Sequence, residues 1–215
     1  MHITMTLSAP LILASASPSR KQILESANLP FDAVTPKIDE EIVRQEILNL
    51  SVSQQAIALA KAKAKSVAYL YPEALIIGSD QICALENNIL HKPGSHKKAI
   101  EHLHNLSGKM HQQHSAVCLY RGQECLFEHI DIASLTMRKL SDIEIETYLQ
   151  LDSPYNCAGA YKLEEHGKHL FTAISGAYET ILGMPLIPLL GALREYGQLS
   201  FPQTEDHEQL ASRTA

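Results

Sequence analysis

Residues 11–20 read LILASASPSR. The apolar, strand-like run Leu11-Ile12-Leu13-Ala14 stops at small hydroxyl residues and a proline, and a helical pattern follows with Arg20 in its first turn. A strand feeding a helix through a short turn is the building unit of an α/β fold. The turn also carries chemistry. Ser17 suits the N-cap and Pro18 the first helical position. A helix start leaves backbone N–H groups without partners. Together with the positive end of the helix dipole and Arg20, these donors suit an anion, most often phosphate. An ordinary capped turn with no ligand uses the same residues, so the rest of the chain has to decide.

Working outward, strand and helix patterns alternate. Residues 19–27 read as a helix and 31–34 as a short strand. Residues 37–53, KIDEEIVRQEILNLSVS, read as a polar loop with helical pieces. Ser53 can cap a helix running to about Tyr69, with Ala56, Ala60, Ala64 and Val67 at helical spacing, and Pro72 ends it. Residues 74–78 form a buried-type strand. Residues 82–85 and 89–90 flank the turn Glu86-Asn87-Asn88. Ser95 can cap a helix to about Asn105, with Gly108 as its stop signal. Strands fit 115–120 and 124–135. Ser141 with Glu144 is a capping box for a helix to Leu149. Strands at 161–163 and 169–174 follow, and Pro185 opens a final helix that Gly197 closes. With no repeat and no linker, this is one α/β domain with a mixed sheet, residues 11–199, between a flexible start (1–10) and a flexible tail (200–215).

The bulk properties narrow the function. The 215 residues carry 18 basic and 24 acidic side chains, a net charge of −6, which is no general footprint for nucleic acid. No run approaches a membrane span, and the start lacks the features of a secretory signal. Cys83, Cys118, Cys125 and Cys157 form no CxxC pair and fit reduced, mostly buried thiols and a cytoplasmic location. Six of the 11 histidines fall between His91 and His114, without the spacing of a metal motif, and are expected to be mostly solvated.

The candidate chemistry lies in scattered polar residues. Asp80, in GSDQ, follows a buried strand, the place where α/β sheets put site residues. Asp39, Glu40 and Glu41 form an acidic cluster of a kind usually found on solvated loops. Lys61, Lys63 and Lys65 share one helix, where most lysines face water. Lys92 follows a strand in HKP, on the surface by default. Phosphoryl chemistry needs this set: cations for phosphate oxygens, carboxylates for a hard divalent metal, and an oriented water. An aspartate with its ordinary pKa of about 3.9 is a weak base for bulk water; it becomes useful where a metal acidifies the water that it orients.

Four motifs in order resemble the Maf family of nucleoside triphosphate pyrophosphatases. LASASPSR is similar to the family's LASxSPRR opening and PKIDEE to its DE element. GSDQ with ILHKP and LSGKMH resembles the central block, and CAGAYKLE with ISGAYETILGMPL the C-terminal block. The likeness runs from about Leu11 to Gly197. It implies an elongated, two-lobed fold with a deep central cleft, related to inosine triphosphate pyrophosphatases. It also implies Mg²⁺- or Mn²⁺-dependent cleavage of a nucleoside triphosphate between its α and β phosphates, and a homodimer as the family's tendency. Carried over by motif, Ser15, Arg20, Lys63 and Lys92 hold the triphosphate, Asp80 accepts the proton, and Glu40 with Asp80 holds the metal. Of the three helix lysines, Lys63 is the one that fits the family's LAxxKA pattern.

Three positions depart from the commonest family pattern. Ser19 stands where the first arginine of SPRR is usual, Gln81 replaces a threonine, and Glu164 replaces a glutamine in AGxYxxQ. The combination resembles the branch that acts on 7-methyl-GTP. Guanine presents N1–H and N2–H₂ donors on one edge, and a carboxylate accepts from both better than an amide. Methylation at N7 adds positive charge, which Glu164 also favours. Hydrogen bonds to charged groups contribute about 1.5–3 kcal/mol each, enough to reject uracil or thymine by about tenfold or more. The same chemistry on dTTP and UTP, and a nucleotide-binding regulator of cell division without turnover, are the rival readings.

Overall fold

The structure, a computed structural model, describes residues 4–202. It is a mixed α/β fold around a seven-stranded sheet of order β2-β1-β3-β5-β6-β7, with β4 added on β3. Strand β1 (Leu11–Leu13) enters helix α1 (Pro18–Ser26) through the quoted turn. Ser17 is the N-cap, its hydroxyl accepting from the Arg20 N–H at 3.5 Å, and Pro18 sits in the first turn. Strand β2 (Asp32–Ala33) and β3 (Leu75–Leu85) flank β1 in parallel. Every other pairing is antiparallel: β3 with β4 (Asn88–Leu90), β3 with β5 (Met110–Arg121), β5 with β6 (Glu124–Met137), and β6 with β7 (Phe171–Ser175).

Strand β3 organises the molecule. On one edge it pairs with β1 through Leu75, Ile76 and Ile77 and with β4 through Cys83, Ala84 and Leu85. Residues 78–82 between them face no strand on that edge. Successive side chains point to opposite faces. On the even-numbered face, helix α3 (Val52–Ala68) packs Ala56, Leu59, Ala60 and Ala64 over Ile76 and Ile82. Gly78 permits this, because a Cβ there would lie 2.2 Å from the Ala60 carbonyl oxygen and 2.7 Å from the Ala64 methyl. On the odd-numbered face two apolar cores lie apart. One gathers Leu75 and Ile77 with α1 and the helix Leu186–Gly197. The other gathers Cys83 with α4 (His96–Leu106) and α5 (Asp142–Asp152). Polar side chains separate them: Ser79 Oγ donates to the Gly183 carbonyl at 2.7 Å, and Ser115 Oγ to the Thr180 carbonyl at 2.5 Å.

Several expectations change. The polar stretch after Asp39 contains a real helix, α2 (Glu40–Glu46), with Asp39 as its N-cap. Helix α3 is capped by Ser51, not Ser53, in a capping box with Gln54; Ser53 instead contacts His114 Nδ1 at 2.9 Å. Residues 161–163 form no strand but run irregularly into a turn at 163–165, and the Tyr161 and Leu163 side chains fill the second core instead of a sheet edge. His111 and His114 are buried, not solvated. Thr6 pairs with Ser200 and the Ser8 N–H donates to the Gly197 carbonyl, so this part of the start, expected to be flexible, is fastened to the end of the domain. Residues 203–215 of the expected tail lie outside the described residues. Among the described residues, no helix is long and apolar enough to cross a membrane.

Candidate active site

The free edge of β3 opens into a cleft of about 920 Å³, within the roughly 300–1,000 Å³ typical of small-molecule sites. Arg20, Glu40, Lys63, Asp80, Lys92 and Glu164 all line it, although they come from six different parts of the chain.

Asp80 is on the even face and meets α3. The Lys63 ammonium lies 2.5 Å from Asp80 Oδ1 and 3.0 Å from Glu40 Oε1. Lys63 is 7% exposed and Asp80 4%. A buried lysine charge persists only with partners, and this one has two carboxylates. Glu40 holds a second cation, Arg44, at 3.4 Å. Burial pushes the Glu40 carboxyl up, but Lys63, to which it is hydrogen-bonded, outweighs this with Arg44 and Lys92, and the net shift is downward. Asp80 Oδ2 is buried and has no hydrogen-bond partner. Inorganic chemistry fits the arrangement: two carboxylates with one unclaimed oxygen beside a cleft lined by Arg20, Lys63 and Lys92 suit a hard divalent cation, which takes one or two protein carboxylates and completes its shell with phosphate and water oxygens.

Arg20 and Ser15 close the end below α1. Arg20 Nε donates to the Gly183 carbonyl at 3.0 Å, and Nη1 approaches Ser15 Oγ at 3.5 Å. Burial lowers the Arg20 pKa, with Asp80 and Glu40 acting against it; a guanidinium stays charged through such shifts. Lys92 is exposed, just beyond β4.

Gln81, the next residue after Asp80, points to the odd face. Its amide donates to the carbonyls of Thr180 (3.2 Å) and Ile181 (2.7 Å), which fixes its orientation. Ser19 and Glu164, 145 residues apart, meet here: Ser19 Oγ donates to Glu164 Oε1 at 3.4 Å.

The Maf-like protein family profile matches residues 10–196 of this chain. The chain belongs to the Maf family. A relative from Rhizobium meliloti (strain 1021), named 7-methyl-GTP pyrophosphatase, is 45% identical over 193 residues, covering 88% of this chain and 97% of its own length. One of the same name from Rhizobium etli is 43% identical, covering 88% and 97%. A relative from Legionella pneumophila subsp. pneumophila, named nucleoside triphosphate pyrophosphatase, is 40% identical over 184 residues, covering 86% and 92%. Among solved structures, that of a HAM1 protein from Coxiella burnetii gives a TM-score of 0.36 at 14% identity, over 60% of this chain and 73% of that one.

All the residues singled out in the Maf-like motifs therefore border one cleft or touch a residue that does, and Lys63 is buried rather than solvated. Sequence reasoning missed Arg44 and Gly183. Arg44 was findable, because it follows Glu40 by one helical turn. Gly183 acts through its backbone: its carbonyl joins Arg20 to Ser79, and its φ of +106° requires glycine.

Proposed function

We propose that this Maf protein is a nucleoside triphosphate pyrophosphatase that hydrolyses 7-methyl-GTP to 7-methyl-GMP and pyrophosphate. One observation carries the reading: Asp80 presents a buried, unpartnered carboxylate oxygen while its other oxygen is held by Lys63, itself shared with Glu40. That is a carboxylate fixed in place with one valence left for chemistry.

Glu40 and Asp80 would hold Mg²⁺ or Mn²⁺, and the ion, when bound, neutralises phosphate oxygens and acidifies water. Arg20, Lys63 and Lys92 bring three positive charges to the triphosphate, and Ser15 adds a hydroxyl at the turn. Asp80 orients the attacking water and takes its proton. The water oxygen bonds to the α-phosphorus, the α–β anhydride bond breaks, and pyrophosphate leaves with the electron pair. Asp80 and Gln81 divide the work through the strand period, one side chain facing the phosphate chemistry and the next facing the base.

For the base, Glu164 accepts from guanine N1–H and N2–H₂, and the positive charge of the methylated ring adds attraction. Ser19, in the arginine position of the common pattern, supports this by donating to Glu164. A guanidinium there would compete with the base for the carboxylate. The names of the rhizobial relatives agree with this specificity. The test is a nucleotide panel with pyrophosphate release as readout. 7-Methyl-GTP is expected to give the highest kcat/KM, with release dependent on a divalent ion. Efficient turnover of dTTP and UTP without 7-methyl-GTP overturns the specificity, and tight nucleotide binding without any pyrophosphate release overturns the activity.

A further inference from the structure

Away from the cleft, Asp152 ends α5 with its side chain fully buried. One oxygen, Oδ1, lies 2.6 Å from His166 Nδ1; the other, Oδ2, is buried without a hydrogen-bond partner. A carboxylate wholly removed from water and half unsatisfied is costly, and in native proteins such a group calls for a missing water or ion. Three potential ligand atoms, one each from Asp152, Glu165 and His166, lie within 4.8 Å of one another, and among the described residues no other group of three does so. Glu165 and His166 are exposed, so the group has an approach from solvent. A cation already sits at its rim: Lys162 Nζ is 3.3 Å from Glu165 Oε1. The Tyr148 hydroxyl, on the inner side, accepts from the Lys162 N–H at 2.9 Å.

We propose that Asp152, Glu165 and His166 form a second, non-catalytic cation site for zinc. One imidazole and two carboxylates are a nitrogen–oxygen donor set that zinc takes readily, with a remaining position for water. Magnesium avoids such a set, because it demands near-octahedral oxygen ligands. Binding replaces the Lys162–Glu165 ion pair and ties the end of α5 to the turn that follows Glu164. The inference is independent of the substrate assigned above.

The test is calorimetric titration of Zn²⁺ into the full chain with excess Mg²⁺ present, so that hard-oxygen sites are filled, paired with the visible absorption of Co²⁺ as a coordination signature. One equivalent is expected to bind to the wild type. His166→Ala leaves Asp152 without its partner, so thermal melts accompany the titration; the folded variant should bind about tenfold more weakly or worse, with loss of the Co²⁺ band, and His166→Gln, which can keep a hydrogen bond to Asp152, should show the same loss. Lys162→Gln should bind more tightly, since the competing cation is gone; a purely structural cluster gives no such gain. Absence of stoichiometric binding to the wild type, or unchanged affinity in His166→Ala, overturns the proposal.

Discussion

The base reading proposed for Glu164 turns on one atom type. Its carboxylate and a glutamine amide have nearly the same shape, but only the carboxylate has two acceptor oxygens. Glu164→Gln is expected to lower kcat/KM for 7-methyl-GTP by about tenfold, the lower end of what one hydrogen bond to a charged group contributes. UTP turnover should change little. Equal losses on both substrates would remove Glu164 from base reading. The sequence made Glu164, Gln81 and Ser19 visible as departures from a pattern, but their contact was hidden. Ser19 and Glu164 are separated by 145 positions, and no local rule reports that α1 and the turn after Tyr161 converge. Lys63 is set apart from Lys61 and Lys65 by the motif resemblance and not by the residue pattern, for a related reason. Helix periodicity identifies an apolar face but cannot say that Asp80 and Glu40 wait above it, and these carboxylates are what make a buried ammonium tolerable.

At the scale of elements, α3 and β3 approach closely because Gly78 faces Ala60 and Ala64. The alanine spacing was legible in the sequence. The reason for it was not, since Gly78 sat in an apolar run whose partner was unknown. Gly78→Ala places a methyl 2.2 Å from a backbone oxygen, which only a shift of α3 relieves. Overpacking of this kind typically costs about 1–3 kcal/mol. The shift also carries Lys63 away from Asp80, so urea melts should show lower stability and kcat/KM should fall with it. Full activity in a destabilised Gly78→Ala protein would separate the packing from the site. Strand β5 carries a second dependence. His111 is buried with Nε2 2.9 Å from the Tyr161 hydroxyl, which also accepts from Gln113. Burial pushes its imidazole down to about 4. The unfolded chain takes up this proton near the ordinary value of about 6.5. The unfolded state therefore binds more protons between these two values, and stability, complete above the upper one, falls as the pH drops to about 4. Thermal melts across that window should show a shallower fall for His111→Gln than for the wild type; identical slopes would assign the loss to other groups.

For the molecule as a whole, the decisive feature is a sheet edge left open. The two apolar cores on the odd face share β3 and β6 but not side chains, and residues 78–82 run between them with no strand on the edge away from β5. Hairpin and capping signals revealed most elements, whereas the division into two cores depends on which strands β1 and β4 choose, a long-range pairing that local pattern does not encode. In the proposed function a nucleotide bound across this edge would contact both sides at once: Arg20 and Ser15 belong to the first, Lys92 and Glu164 to the second. It should therefore stabilise the domain as one unit. Asp80→Asn allows the measurement, since it removes the proposed proton acceptor, leaves Glu40 as a partner for Lys63, and should cut turnover by about two orders of magnitude or more. At a ligand concentration one hundredfold above Kd, binding adds about 2.7 kcal/mol. For a domain of this size, about 2–4 °C per kcal/mol turns that into a rise in Tm of about 5–11 °C. The rise should appear in a single transition with 7-methyl-GTP and Mg²⁺ present. Two transitions, with only one moving, would mean that the nucleotide rests on one side of the cleft. No shift at all, beside an active wild type, would make Asp80 a binding group before it is a base.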